Sequence, residues 1–224
     1  MTNEVAPTIG CDTQGMRLVH RVFRAVFADG PWLVEDVAIG DDRRRRHVAA
    51  HLKELALALH HHHETEDELL WDTLTRRAPG CALHVQLMKT QHASMAEILA
   101  EADEALPAWT TSGTEADREL VHAAMVGIDQ LLGIHLGDEE TLILPAAGET
   151  MNQREWDKLG EFARRTTRPA MLFPQLGFML QSLPPGEGDR FMRETLPTPV
   201  RVLWQVVGKG QYRRYRGRIY GTRA

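Results

Sequence analysis

Four segments of the chain repeat apolar residues at alternating spacings of three and four, the pattern that turns one side of an α-helix toward a core. They run through Met16, His20, Phe23 and Phe27; through Leu52, Leu55, Leu59, His62, Glu66 and Leu69; through Val85, Met88, His92, Met95 and Leu99; and through Val121, Met125, Ile128, Leu132, His135, Glu139 and Ile143. Between them stand the breakers "DGP" at 29–31, "APG" at 78–80 and "PAWTTSG" at 107–113, and "LP" at 144–145 follows the last stripe. Proline and glycine clusters interrupt helices, and short connections favour antiparallel neighbours. The pattern predicts an all-α fold with an up-down-up-down four-helix bundle over residues 1–150. Beyond it, "NQREWDKLGEFARR" reads as an amphipathic helix capped by Asn152, with Glu155 three residues later. An apolar stretch at 170–183, the turn "PPGEGD" and a stripe of Val200, Leu203, Trp204 and Val207 complete a helical C-terminal extension, 151–224, that ends in a basic tail.

Each apolar stripe contains a histidine, and two contain a glutamate. Residues four apart on a helix lie one turn apart on the same side, so His62 with Glu66 and His135 with Glu139 each aim two donors at one point. An ionised glutamate on a core face costs several kcal/mol, on the order of its lost hydration, unless it is paired or bound to a metal. The arrangement repeats: the spacing from His20 to His62-x-x-x-Glu66 is nearly that from His92 to His135-x-x-x-Glu139, so two helical hairpins of like design face each other. His20, His62, Glu66, His92, His135 and Glu139 are therefore the candidate metal ligands. Imidazole and carboxylate without thiolate suit iron or manganese, and zinc is an alternative. Six donors are too many for one tetrahedral zinc ion, and carboxylates able to bridge point to a pair of irons.

Neighbouring residues leave two choices open. Glu140 stands five after His135, about 140° round the helix against 40° for Glu139, and Pro145 could loosen the helix end enough to turn it inward. His63 and Asp67 form a pair in a register shifted by one. The simplest expectation for His60, His61, His63 and Glu64 is a solvated or helix-facing surface, and for "DDRRRRH" at 41–47 a polar loop and helix start. A ferritin-like centre needs two inward Glu-x-x-His motifs. The chain has one, Glu119-x-x-His122, on a different side of its helix from His135.

Over residues 16–145 the sequence resembles the hemerythrin-like (HHE cation-binding) family of four-helix bundles. The first-helix histidine matches His20, His-x-x-x-Glu on the second helix matches His62 and Glu66, the third-helix histidine matches His92, and the fourth-helix histidine and acid match His135 with Glu139 or Glu140. The resemblance implies two non-haem iron ions, oxo- or hydroxo-bridged, spanned by the two carboxylates. The oxygen-carrying members have His-x-x-x-His on the third helix. Here Met88 and Ala96 flank His92 at those positions, which leaves four histidines and a centre with more open positions. That fits handling of peroxide, oxygen or nitric oxide in oxidative-stress defence or sensing, with catalase-like peroxide decomposition as the enzymatic form. A non-catalytic iron- or oxygen-binding sensor signalling through the extension is the second reading, and a metal-free helical scaffold the third.

Composition adds context. Of the 224 residues 43% are apolar and 25% charged, as in ordinary globular chains. The start "MTNEVAPTIG" lacks the basic and apolar regions of a secretion signal, and the longest nearly apolar run, "PAMLFPQLGFML", is too short to span a bilayer. A cytoplasmic protein without a transmembrane segment is expected, with Cys11 and Cys81 as free thiols. The net charge of −5 hides a division. Residues 170–224 hold 9 Lys and Arg against 3 acids, and from Val200 onward there are seven basic residues and no acid. Packing of this tail over an acidic body is the simplest reading. An anionic surface or a protein is the partner otherwise expected, with Tyr212, Tyr215 and Tyr220 interleaved among the arginines.

Overall fold

The computed structural model describes residues 10–221. Its helices are α1 (Gln14–Ala28), α2 (Gly30–Glu35), α3 (Asp42–Leu69), α4 (Trp71–Arg77), α5 (Ala82–Ser112), α6 (Glu115–Asp138), α7 (Leu144–Thr150), α8 (Gln153–Thr166), α9 (Leu172–Ser182), α10 (Glu187–Thr195), α11 (Thr198–Leu203) and α12 (Lys209–Tyr220). Among the described residues the only β-type pairing is an isolated bridge between Gly10 and Asn152. The chain is an all-α helical bundle.

The apolar stripes account for the packing. α1 lies against α3 and α6, α3 against α5, and α5 against α6, which closes a four-helix ring. The interior is split into two apolar clusters. One holds Phe23 and Phe27 from α1, Leu52, Leu55 and Leu59 from α3, Met95 and Leu99 from α5, and Ile128, Leu132 and Leu136 from α6. The other holds Met16, then Leu70 and Trp71, then Val85 and Met88, then Ile143 and Leu144. Along α1 the chain passes from the second cluster to the first, along α3 from first to second, along α5 back, and along α6 forward again. That alternation is the up-down-up-down order. On every helix the residue that separates the two clusters is a histidine or glutamate.

Local chemistry sets most of the helix ends. Asp41 caps α3 by accepting from the Arg44 N–H, so the arginine run lies on the first turns of a helix, as expected. Asn152 and Glu155 form the reciprocal capping box of α8. Three expected breaks differ. "DGP" does not simply end α1, because Pro31 sits in the first turn of α2, where its missing N–H costs nothing, and Leu33 and Val34 are buried. Pro107 lies inside α5, which continues to Ser112 and ends at Gly113, whose φ of 65° is the left-handed cap that favours glycine. Burial of Leu106 and Trp109 holds the helix through the proline. After α6 the helix also continues, through a π turn at Glu139–Ile143 into α7, so Pro145 displaces the hydrogen-bond ladder rather than stopping it.

The span Glu115–Thr150 is long and apolar enough, by length and composition, to cross a membrane. Its apolar character is that of a core helix: Val121, Met125, Ile128, Leu132 and Leu136 all lie inside the bundle. The extension packs on the bundle as well. α9 and α12 lie against each other, α9 against α1, and α12 against α3. Phe178, Ile219 and Tyr220 belong to the first core cluster. Tyr215 and Tyr220 are spent on that packing, the first bonding His51 Nδ1 through its hydroxyl at 3.0 Å and the second donating its hydroxyl to Asp29 Oδ2 at 2.8 Å. Arg223 of the basic tail lies outside the described residues.

His51 is 1% exposed under this cover, and burial lowers its pKa to about 3. The native state thus keeps His51 neutral while the unfolded chain protonates near 6.5. Stability from this group is complete above pH 6.5 and falls as pH drops from there toward 3, by up to about 1.4 kcal/mol per pH unit. His51→Gln should make the pH dependence of urea-unfolding free energy shallower over that window, and an unchanged slope would contradict the assignment.

Candidate metal centre

The layer between the two apolar clusters contains His20, His62, His63, Glu66, His92, His135 and Glu139, all buried or nearly so. His20, His62, Glu66 and Glu139 bring ligand atoms within 4.8 Å of one another, and so do His63, His92 and His135. The two glutamates join these groups. Glu66 Oε1 lies 3.2 Å from His62 Nε2, and its Oε2 lies 3.4 Å from His92 Nε2. Glu139 Oε2 lies 3.3 Å from His20 Nε2 and 3.9 Å from His135 Nε2. Each carboxylate therefore stands between one imidazole of the first group and one of the second.

These side chains are poorly satisfied by the protein itself. Both oxygens of Glu66 and Glu139, and Nε2 of His20, His62 and His63, are buried without a hydrogen-bond partner. Native proteins leave few such groups, and here they converge on one place. Outside the layer the imidazoles are held. His92 Nδ1 meets Asp67 Oδ1 at 2.8 Å, and the same oxygen accepts from Trp71 Nε1 at 2.6 Å. His135 Nδ1 meets Gln91 Oε1 at 3.0 Å, and the Gln91 amide is fixed because its Nε2 donates to Asp138 Oδ2 at 2.8 Å. With both Nδ1 atoms held on the outside, the Nε2 atoms of His92 and His135 face each other across 3.3 Å. His20 Nδ1 is held by Glu140 Oε1 at 3.0 Å, and Arg24 donates to the same oxygen.

Electrostatics follow the same plan. Burial and the charge of Glu139 push the Glu66 carboxyl up to about 8. Burial works against ionised Glu139 as well, but His20 beside it outweighs that and holds it near 2. His20 is opposed by burial yet drawn up to about 9 by Glu139 and Glu140, and His92 likewise by Asp67 and Glu66. Burial alone leads the depression of His62 to about 3 and of His135 to about 4. Metal binds neutral imidazoles and ionised carboxylates, so loading this layer would release the protons that His20, His92 and Glu66 hold when it is empty.

Of the six residues singled out from sequence, all lie in this layer. Glu139 is fully buried within it, while Glu140 lies outside, reaching His20 from behind alongside Arg17 and Arg24. His60 is exposed and His61 pairs with Glu64 at 3.2 Å, as a solvated face would. His63 departs from that expectation: it is 5% exposed and stacks on His92, ring centres 4.1 Å apart. The missed signal was that Glu66 stands three after His63 as well as four after His62, so both histidines neighbour it on the helix. Asp67 does not pair with His63 but supports His92 from outside. His122 lies elsewhere, bound to Glu35.

A family model for the hemerythrin HHE cation-binding domain matches residues 12–147. No curated protein and no solved structure matches the chain.

Proposed function

The chain belongs to the hemerythrin HHE cation-binding domain family, and from that premise we propose that its buried layer holds two non-haem irons and binds or reacts with oxygen, peroxide or nitric oxide. One observation carries the reading: Glu66 and Glu139, fully buried and without hydrogen-bond partners, each lie between the two imidazole groups. Carboxylates placed that way would serve a metal held in either position. His20 and His62 face one position, His92 and His135 the other, and imidazole with carboxylate is the donor set that suits iron. When bound, an iron pair supplies one- and two-electron redox chemistry and open positions for a small ligand. The protein contributes burial and outer hydrogen bonds from Asp67, Gln91 and Glu140 that fix ring orientation and raise ligand basicity.

Peroxide is the ligand that separates a working centre from a storage or sensing one. Iron-loaded protein is expected to evolve oxygen from hydrogen peroxide over many turnovers and to lose this when the iron is chelated. Bleaching after a single equivalent would favour the sensor reading. That second reading has its own support, since α9 and α12 of the extension pack on α1 and α3, which carry His20 and His62.

A further inference from the structure

We propose that His63 is a metal ligand, supplying the third imidazole of the position formed with His92 and His135, so that the centre has five histidines, the fifth taken from the second long helix of the bundle. The proposal rests on the reading of this layer as a metal centre and specifies its donor set.

Helix geometry explains how consecutive residues serve two positions. A step of one residue turns about 100° round an α-helix, and α3 lies between α1 and α5. His62 faces α1, its ring 5.4 Å from His20 and 5.2 Å from Phe23. His63 faces the other way, stacked on His92 and edge-on to His135 at 5.0 Å. Glu66 stands one turn below both and meets both positions, as its contacts to His62 and His92 show. His63 Nε2 is buried and has no hydrogen-bond partner, although His92 and His135 are each held at their outer nitrogens. His51 under the extension also has an unpartnered Nε2, so what marks His63 is that its ligand atom lies within 4.8 Å of those of His92 and His135. The places on α5 where a further histidine would be sought are otherwise used: Met88 is buried in the second apolar cluster, and Ala96 is exposed. The four-histidine count expected from sequence thus becomes five.

Ferrous iron is the probe, with stoichiometry and affinity measured anaerobically against a chelator of known strength. His63→Ala is expected to keep one iron per chain and to lose the second by more than tenfold in affinity, with millimolar imidazole restoring it. His60→Ala, at an exposed position outside the layer, should match the unaltered protein. In the metal-free state His63→Leu should raise the melting temperature, because it replaces an unsatisfied imidazole, while shrinking the rise that iron produces. A structural histidine would not give those opposite signs. If His63→Ala fails to fold, His63→Gln, closer in volume, is read in its place. Two irons bound by the His63 variant with unchanged affinity would overturn the proposal while leaving the di-iron reading intact. No iron bound by the unaltered protein would overturn both.

Discussion

Glu139→Gln is expected to strip the centre of iron, and Glu140→Gln to leave it nearly full. Glu139 is fully buried, with one oxygen 3.3 Å from His20 Nε2 and 3.9 Å from His135 Nε2. An amide in its place has one oxygen instead of two and turns an N–H pair toward atoms that should be binding metal. Loss of an outer-shell partner already costs about 10–100-fold in metal affinity, so loss of a bridging ligand should exceed about a hundredfold. The metal-free protein should lose stability as well, since ionised Glu139 is paired with His20 in the buried layer and the amide leaves that imidazole without its counter-charge. Glu140 acts from outside, accepting from His20 Nδ1 and Arg24. Glutamine there keeps an accepting oxygen, so the expected loss is about tenfold or less. Iron retained after dialysis against a chelator measures both, and the reverse ranking would transfer the bridging role to Glu140.

Tyr220→Ala is expected to destabilise the whole bundle, although Tyr220 lies at the far end of the chain. Its ring stacks on Trp32 with centres 6.2 Å apart, its hydroxyl donates to Asp29, and it is 6% exposed within the first core cluster. Truncating a buried aromatic side chain costs about 3–5 kcal/mol. For a chain of this size that is about 6–20 °C of melting temperature, at about 2–4 °C per kcal/mol. Single-transition melting with such a shift, followed by circular dichroism, is the expected result. An unchanged melting temperature would mean that the extension contributes no stability to the bundle.

The bundle was legible because its signal is periodic. Each stripe on α1, α3, α5 and α6 is amphipathic over several turns, and the candidate ligands interrupt it at one level. Pro107 and Pro145 were misleading for the same physical reason in both cases: local propensity disfavours proline in a helix, but buried partners on either side, Leu106 and Trp109 in one and Ile143, Leu144 and Ala147 in the other, outweigh it. The inward position of Glu139 follows from regular helix geometry, which the sequence carries. The burial of His63 does not follow from a single stripe, because it depends on α3 having one neighbour on each side of the layer. The role of the tyrosines in the tail was likewise invisible, since interleaved tyrosine and arginine fit a packed cover as well as an exposed binding surface.

The central claim is a pair of irons held between Glu66 and Glu139. The most direct measurement is elemental analysis of the purified, iron-reconstituted full chain together with its Mössbauer spectrum. The account predicts two irons per chain in a magnetically coupled pair, with Glu66→Gln and Glu139→Gln each abolishing the coupling. A single uncoupled iron, one zinc ion, or no metal retained by a folded chain would contradict it.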